Sequence, residues 1–193
     1  MREAEFSRSS RETKIKVIIN LDGTGQTDIT TGIGFFDHLL TLFAFHGSFD
    51  LTIKAEGDLD VDDHHTVEDV AIVLGLAIKE ALGEKVGINR YGFFLLPMDE
   101  ALARVVCDIS GRPTLVFDAQ FTREQIGDMA TENVKEFFKA LINSVGLTTH
   151  IGILSGENNH HMAEAIFKAF GRSLSEAVKV VTEKVPSSKG LID

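Results

Sequence analysis

The feature that most constrains this chain is a segment that occurs twice. The run HHTVEDVAIVLGLAIKEALG, residues 64–83, lies without gaps over HHMAEAIFKAFGRSLSEAVK, residues 160–179. Six of the twenty columns are identical: His64/His160, His65/His161, Glu68/Glu164, Gly75/Gly171, Glu80/Glu176 and Ala81/Ala177. That is well above what composition supplies by chance, and self-similarity of this kind marks a duplicated unit. The fold must therefore be one that two copies of a half can build, with an HHxxE motif at the same place in each.

The flanking patterns agree. In the first half, TKIKVIINLDGTGQTDITTG alternates apolar and polar residues on either side of DGTG, a hairpin signal. A helical run then ends at Gly47, placed as its C′ residue, followed by the strand SFDLTIKAEGD and a helix from His64 to Leu82 with Gly83 beyond it. The order is β-β-α-β-α. The second half reads β-β-β-α-β-α: strands in GFFLLPMDEALARVVCDISGRPTLVFDAQ, a helix in TENVKEFFKALINSVG, the strand LTTHIGILSG, and a helix from His160 to about Glu183. Extending the overlay backward, the helix Asp37–Gly47 falls on Lys135–Gly146, so His38 answers to Glu136. GEKVGINRYG is too short for a linker, so one compact pseudo-symmetric domain is expected over residues 1–193, with repeats of approximately 1–86 and 87–193.

A helix puts residues three and four apart on one face, so Glu68 can lie beside His64 or His65, and Glu164 beside His160 or His161. Adjacent histidines diverge by about 100° and serve one ion poorly. With two copies, two ions can each draw on both halves. The symmetric solution groups His38, His65, His160 and Glu164 around one metal, and His64, Glu68, Glu136 and His161 around the other. Imidazole and carboxylate donors without thiolate suit Mn²⁺, Fe²⁺ or Zn²⁺ as Lewis acids. His150 is a rival to Glu136, although the overlay favours Glu136. The aspartates 58, 60, 62 and 63 are read as caps of the following helix rather than as ligands.

Composition excludes other classes. A net charge of −10 and a pI near 5.1, with no basic stripe, argue against a nucleic-acid partner. Cys107 is the only cysteine, so neither an internal disulfide nor a Cys-rich zinc motif is available, and it reads as a small buried strand residue. No run approaches a membrane span and no leader pattern is present, so the expectation is a cytoplasmic protein.

The set TGIGFFDHLL, GDLDVDDHHTVEDVAIVLG, LPMDEALARVVCDISGRP, ENNHHMAEAIFKAFGRSL and PSSKG resembles the imidazole glycerol phosphate dehydratase family, in family order over nearly the whole chain. The resemblance implies an α+β fold of two tandem pseudo-symmetric half-domains, each a four-stranded sheet with two helices on one face, similar to ribosomal protein S5 domain 2. It implies two manganese ions per active site and a homo-oligomer of 24 subunits with active sites between subunits, while charge and hydropathy leave no membrane or nucleic-acid partner expected. The eight metal positions match the sets above. One departure is KEFF, where many members carry His and this chain has Glu136. The resemblance further assigns substrate contacts to Glu12, His46, Arg90, Arg112, Ser187, Ser188 and Lys189, whose cations and hydroxyls suit a phosphate. The implied reaction in L-histidine biosynthesis removes water from the glycerol chain, by way of a metal-stabilised imidazolate and a diazafulvene, to give imidazole acetol phosphate. Glu12, Glu68 and His46 are the expected catalytic residues, with the carboxylates moving protons.

Overall fold

The computed structural model describes residues 2–192. The first half runs β1 (Glu3–Ser9), β2 (Thr13–Asn20), β3 (Thr27–Thr30), α1 (Gly34–Gly47), β4 (Asp50–Gly57) and α2 (His64–Leu82). The second runs β5 (Tyr91–Met98), β6 (Ala101–Asp108), β7 (Thr114–Asp118), a two-residue ladder β8 (Gln125–Ile126) with β9 (Met129–Ala130), α3 (Glu132–Val145), β10 (Thr148–Ser155) and α4 (Asn159–Val178). The sheets have the same order, β1-β2-β4-β3 and β5-β6-β10-β7. In each, only the last pair is parallel, β3 with β4 and β7 with β10. A parallel pair needs a crossover, and α1 and α3 supply it.

The DGTG segment does not close a hairpin, because β3 pairs with β4 rather than with β2. The reason lies in Asp50, whose Oδ1 accepts from the backbone N–H groups of Thr24 (2.8 Å) and Gln26 (3.0 Å). That carboxylate wraps the loop around the end of β4 and delivers the chain to the far edge. The true hairpin joins β1 to β2 through a turn in which Ser10 Oγ accepts from Glu12 N and Thr13 N. β1 is an exposed edge strand with little alternation, which is why its pattern is silent in the sequence.

Alternation elsewhere does set the layers. Ile15, Val17 and Ile19 of β2 and Ala103, Val105 and Cys107 of β6 face inward and are buried; each larger apolar side chain contributes about 1.5–3 kcal/mol when fully buried. Burial pushes the Cys107 thiol up to about 11, so it is inert. Helix α2 packs on β1, β2 and β4, and α4 on β5 and β6, while α1 meets α4 and α3 meets α2. The four helices thus lie between two sheets. Phe43, Phe137, Phe138, Phe167 and Phe170 fill the middle with ring centroids 5.0–5.6 Å apart.

The helix pairs come unusually close at the two repeated glycines. A Cβ on Gly171 would lie 2.4 Å from the Phe43 carbonyl oxygen, and one on Gly75 would lie 2.5 Å from Ser144 Cβ and 2.9 Å from the Leu141 carbonyl oxygen. Gly47, placed by its sequence at C′, is instead the last helical residue of α1 and faces Gly171, while Ser48 takes the left-handed conformation at φ 57°. Helix α4 stops at Val178, short of Glu183; the carbonyls of Val178 and Ala177 accept from Arg2 Nη1 and Arg90 N, and that of the capping Lys179 accepts from Asn89 N.

Candidate metal centre

The close approach of α1 to α4 sets His38 beside the start of α4. His38 Nε2 and His160 Nε2 each lie 2.8 Å from Glu164 Oε1. Donor atoms of the three side chains all fall within 4.8 Å of one another. Metal–donor bonds of about 2.0–2.2 Å place donors at most roughly 4.4 Å apart around one ion, so small side-chain shifts complete the fit. Glu164 is 5% exposed, and its other oxygen lies 2.5 Å from Lys168 Nζ. Burial would raise its pKa, but Lys168, His38 and His160 outweigh that and hold it at about 2. The carboxylate is therefore ionised and ready as a ligand. Lys168 was not singled out by the sequence reading, although its i+4 spacing from Glu164 was the available signal.

The second cluster occupies the equivalent place on α2 and α3 but is looser. His64 Nε2 is 4.0 Å from Glu68 Oε2. Glu136 lines a cavity of about 420 Å³ with His64, and its Oε2 accepts from Lys139 Nζ at 2.8 Å. His64 Nδ1 lies 3.0 Å from Asn133 Oδ1. At the corresponding position His160 instead meets the Phe35 ring, 4.9 Å between centroids.

His65 and His161 do not join either cluster of their own chain. His65 Nδ1 is 3.0 Å from Asp58 Oδ2, and His161 Nδ1 is 2.8 Å from Glu100 Oε2. Those hydrogen bonds raise the pKa of both imidazoles, and His161 in turn holds Glu100 down at about 2. The rings of each adjacent pair are nearly perpendicular, at 81° and 89°. Of the acidic run, Asp62 accepts from His64 N and so caps α2, but Asp63 accepts from Ala130 N and Asp58 serves His65. His150 lies on β10 between Val106 and Val116, on the outer face of the second sheet and away from Glu136.

Five of the expected substrate residues converge elsewhere. Arg90, Arg112, Ser187, Ser188 and Lys189 line one pocket of about 240 Å³. Arg90 is fixed there by Asp108, through Nε (2.7 Å) and Nη2 (3.2 Å), and by the Pro186 carbonyl. Three fixed or flexible cations and two hydroxyls make it an anion pocket. It adjoins the far end of α4, where Arg90 N bonds Ala177 O; from His160 to Ala177 the helix rises roughly 26 Å. Glu12 lies in the β1–β2 turn, where its carbonyl accepts from Asp58 N. His46 lies in the last turn of α1 and is pushed toward its neutral form by burial and by the charges of Lys168 and Arg172.

The imidazoleglycerol-phosphate dehydratase family model matches residues 31–174. The imidazoleglycerol-phosphate dehydratase of Acetivibrio thermocellus is 56% identical over 193 residues, covering 99% of each chain. The crystal structure of the Staphylococcus aureus enzyme superposes with a TM-score of 0.83 at 44% identity, covering 93% of this chain and 99% of that one. The Pyrococcus furiosus structure superposes at 0.84 with 39% identity, covering 96% and 99%. By sequence over its full length and by fold, the chain belongs to the imidazoleglycerol-phosphate dehydratase family.

Proposed function

We propose that the chain is a hydro-lyase that dehydrates imidazole glycerol phosphate to imidazole acetol phosphate in L-histidine biosynthesis, in the cytoplasm. The observation that carries this reading is the presence on one chain of a two-histidine, one-carboxylate cluster at the start of α4 and an anion pocket at its end. Both are needed for a phosphate ester that must lose an unactivated C–H proton and a hydroxyl. When bound, two manganese ions would supply Lewis acidity toward the imidazole ring. His38, His160 and Glu164 would hold one, and His64, Glu68 and Glu136 the other.

Each set lacks a fourth protein donor, and His65 and His161 present theirs away from their own chain's clusters. The pocket and the first cluster are also too far apart along α4 for a three-carbon phosphate ester to touch both. Both facts support active sites composed between copies, within a homo-oligomer such as a 24-subunit shell. The outer face of the second sheet supports assembly as well, with Phe93, Val106 and Val116 exposed in one cross-strand row. In the composite site Glu12, close to His65, moves a proton at the reacting carbon. Glu68 is the second carboxylate placed to do so, and His46 contacts the phosphate or the departing hydroxyl.

The test is direct. Protein stripped with a chelator and reloaded with Mn²⁺ should convert imidazole glycerol phosphate to the enolisable ketone. Release of inorganic phosphate in place of the ketone would point to a dinuclear hydrolase and reject the reading. Undiminished turnover in Glu12→Gln would remove Glu12 from proton transfer.

A further inference from the structure

The second histidine of each repeat shares a feature that the ligand reading does not require. His65 and His161 each turn Nδ1 to a carboxylate brought in from outside their helix, Asp58 after β4 and Glu100 in the β5–β6 turn. The two carboxylates come from different elements of the repeat, so the same contact to Nδ1 is made by non-equivalent residues in the two halves. Glu100 is itself anchored: its Oε1 accepts from Asn158 N at 2.8 Å and Glu157 N at 3.2 Å, which leaves Oε2 for His161. Asp58 is held by its backbone, which donates to Glu12 O and accepts from Val61 N.

An ionised carboxylate only accepts hydrogen bonds. A neutral imidazole bonded to it through Nδ1 must carry its proton there, and its lone pair is then on Nε2. We propose that Asp58 and Glu100 are positioning residues that fix the tautomer and ring orientation of His65 and His161, so that each offers Nε2 as a preformed donor to a metal held by another copy of the chain. Asn133 stands in the same relation to His64, with a neutral acceptor. This inference rests on the reading of His65 and His161 as ligands. Oriented imidazoles of this kind raise metal affinity because the ring loses no orientational freedom on binding and the carboxylate increases ligand basicity.

The experiment titrates metal-stripped full-length protein with Mn²⁺ alone and counts free ion by electron paramagnetic resonance. Asp58→Ala should weaken one class of site by about 10–100-fold and leave the other, and Glu100→Ala should weaken the other class by a similar factor. Asp58→Asn, which keeps a neutral acceptor for Nδ1–H, should restore most of the affinity. A merely structural role would lower the unfolding temperature of the metal-free variants without changing Mn²⁺ affinity, and that result would overturn the proposal. His65→Ala separates the two levels. If it retains both site classes, the ligand reading fails; if it loses one while Asp58→Ala and Glu100→Ala bind as the parent does, only the positioning role fails. Glu100 lies in an exposed turn, so its variant decides the matter should Asp58→Ala not fold.

Discussion

The two candidate metal clusters occupy equivalent places in one duplicated scaffold yet differ in how tightly they are drawn together. Around Glu164, two imidazole nitrogens lie 2.8 Å from one carboxylate oxygen, and Lys168 pins the other oxygen. Around Glu68, the nearest imidazole nitrogen is 4.0 Å away, and the cluster's lysine, Lys139, is bound instead to Glu136. The backbone frame is the same in both, with a glycine at the helix contact in each half. The difference is therefore a side-chain one. His38 is replaced by Glu136, and Lys168 by Ile72 at the matching position. The repeated helix frame sets where the candidate donors stand, and the side chains set how many oxygens each cluster presents. The first set is rich in imidazole and the second in carboxylate, which favours a harder ion at the second.

The strongest way to break this comparison is to remove the carboxylate that organises the tight cluster. Glu164→Ala should abolish one class of Mn²⁺ site and lower kcat by at least about 10³-fold, since Lewis-acid stabilisation supplies several kcal/mol. Steady-state kinetics beside metal analysis will check this, and loss of both metals together would show the clusters to be interdependent. Next in size, Gly171→Ala should destabilise the fold by about 1–3 kcal/mol in urea unfolding, because the new methyl has no room against Phe43 O. Gly75→Ala should do the same for α2 and α3; a neutral result at either glycine would mean that this helix contact is not what holds its cluster.

A smaller effect is expected with pH. The folded state holds Glu164 at about 2 against an ordinary 4.5, so it binds that proton less readily than the unfolded chain does. In metal-free protein its contribution is fully present above about pH 4.5 and is lost as pH falls toward 2. Glu164→Gln should flatten that part of the stability profile, measured by unfolding at a series of pH values. Least disruptive is Glu136→His, which makes the second donor set resemble the first. It should shift the preference of that site from Mn²⁺ toward Zn²⁺ in competition titrations, with little change in stability. An unchanged preference would place the difference between clusters somewhere other than their donors.

Much of this was legible because helices and repeats leave periodic traces. HHxxE predicted the faces of α2 and α4, and the overlay, allowing small loop-length differences, set α1 against α3; the fold brings His38 to His160 and Glu164, and Glu136 to a cavity that His64 also lines. Single-sequence patterns failed where one side chain redirects the backbone. Asp50 converts an apparent hairpin into a crossover, and β1 pairs without alternating. Capping logic held for Asp62 but not for Asp58 or Asp63, since carboxylates favour a helix start for several reasons and only the fold reveals that Asp58 reaches His65 and Asp63 reaches Ala130 N. Spacing could not reveal that His65 and His161 turn from their own clusters. It counts donors around an ion but does not say which copy of the chain supplies them.

The roughly 26 Å along α4 between His160 and the pocket of Arg90 and Arg112 has a genetic consequence. If a complete site takes its metal cluster and its phosphate pocket from different copies, the two lesions Glu164→Ala and Arg112→Ala strike different donors. In that arrangement each would inactivate a pure homo-oligomer. Mixed before assembly, the one protein still offers an intact pocket and the other an intact cluster, so some junctions in the hybrid particle hold both. Two recessive alleles, each null alone, would then complement each other in a cell that carries both.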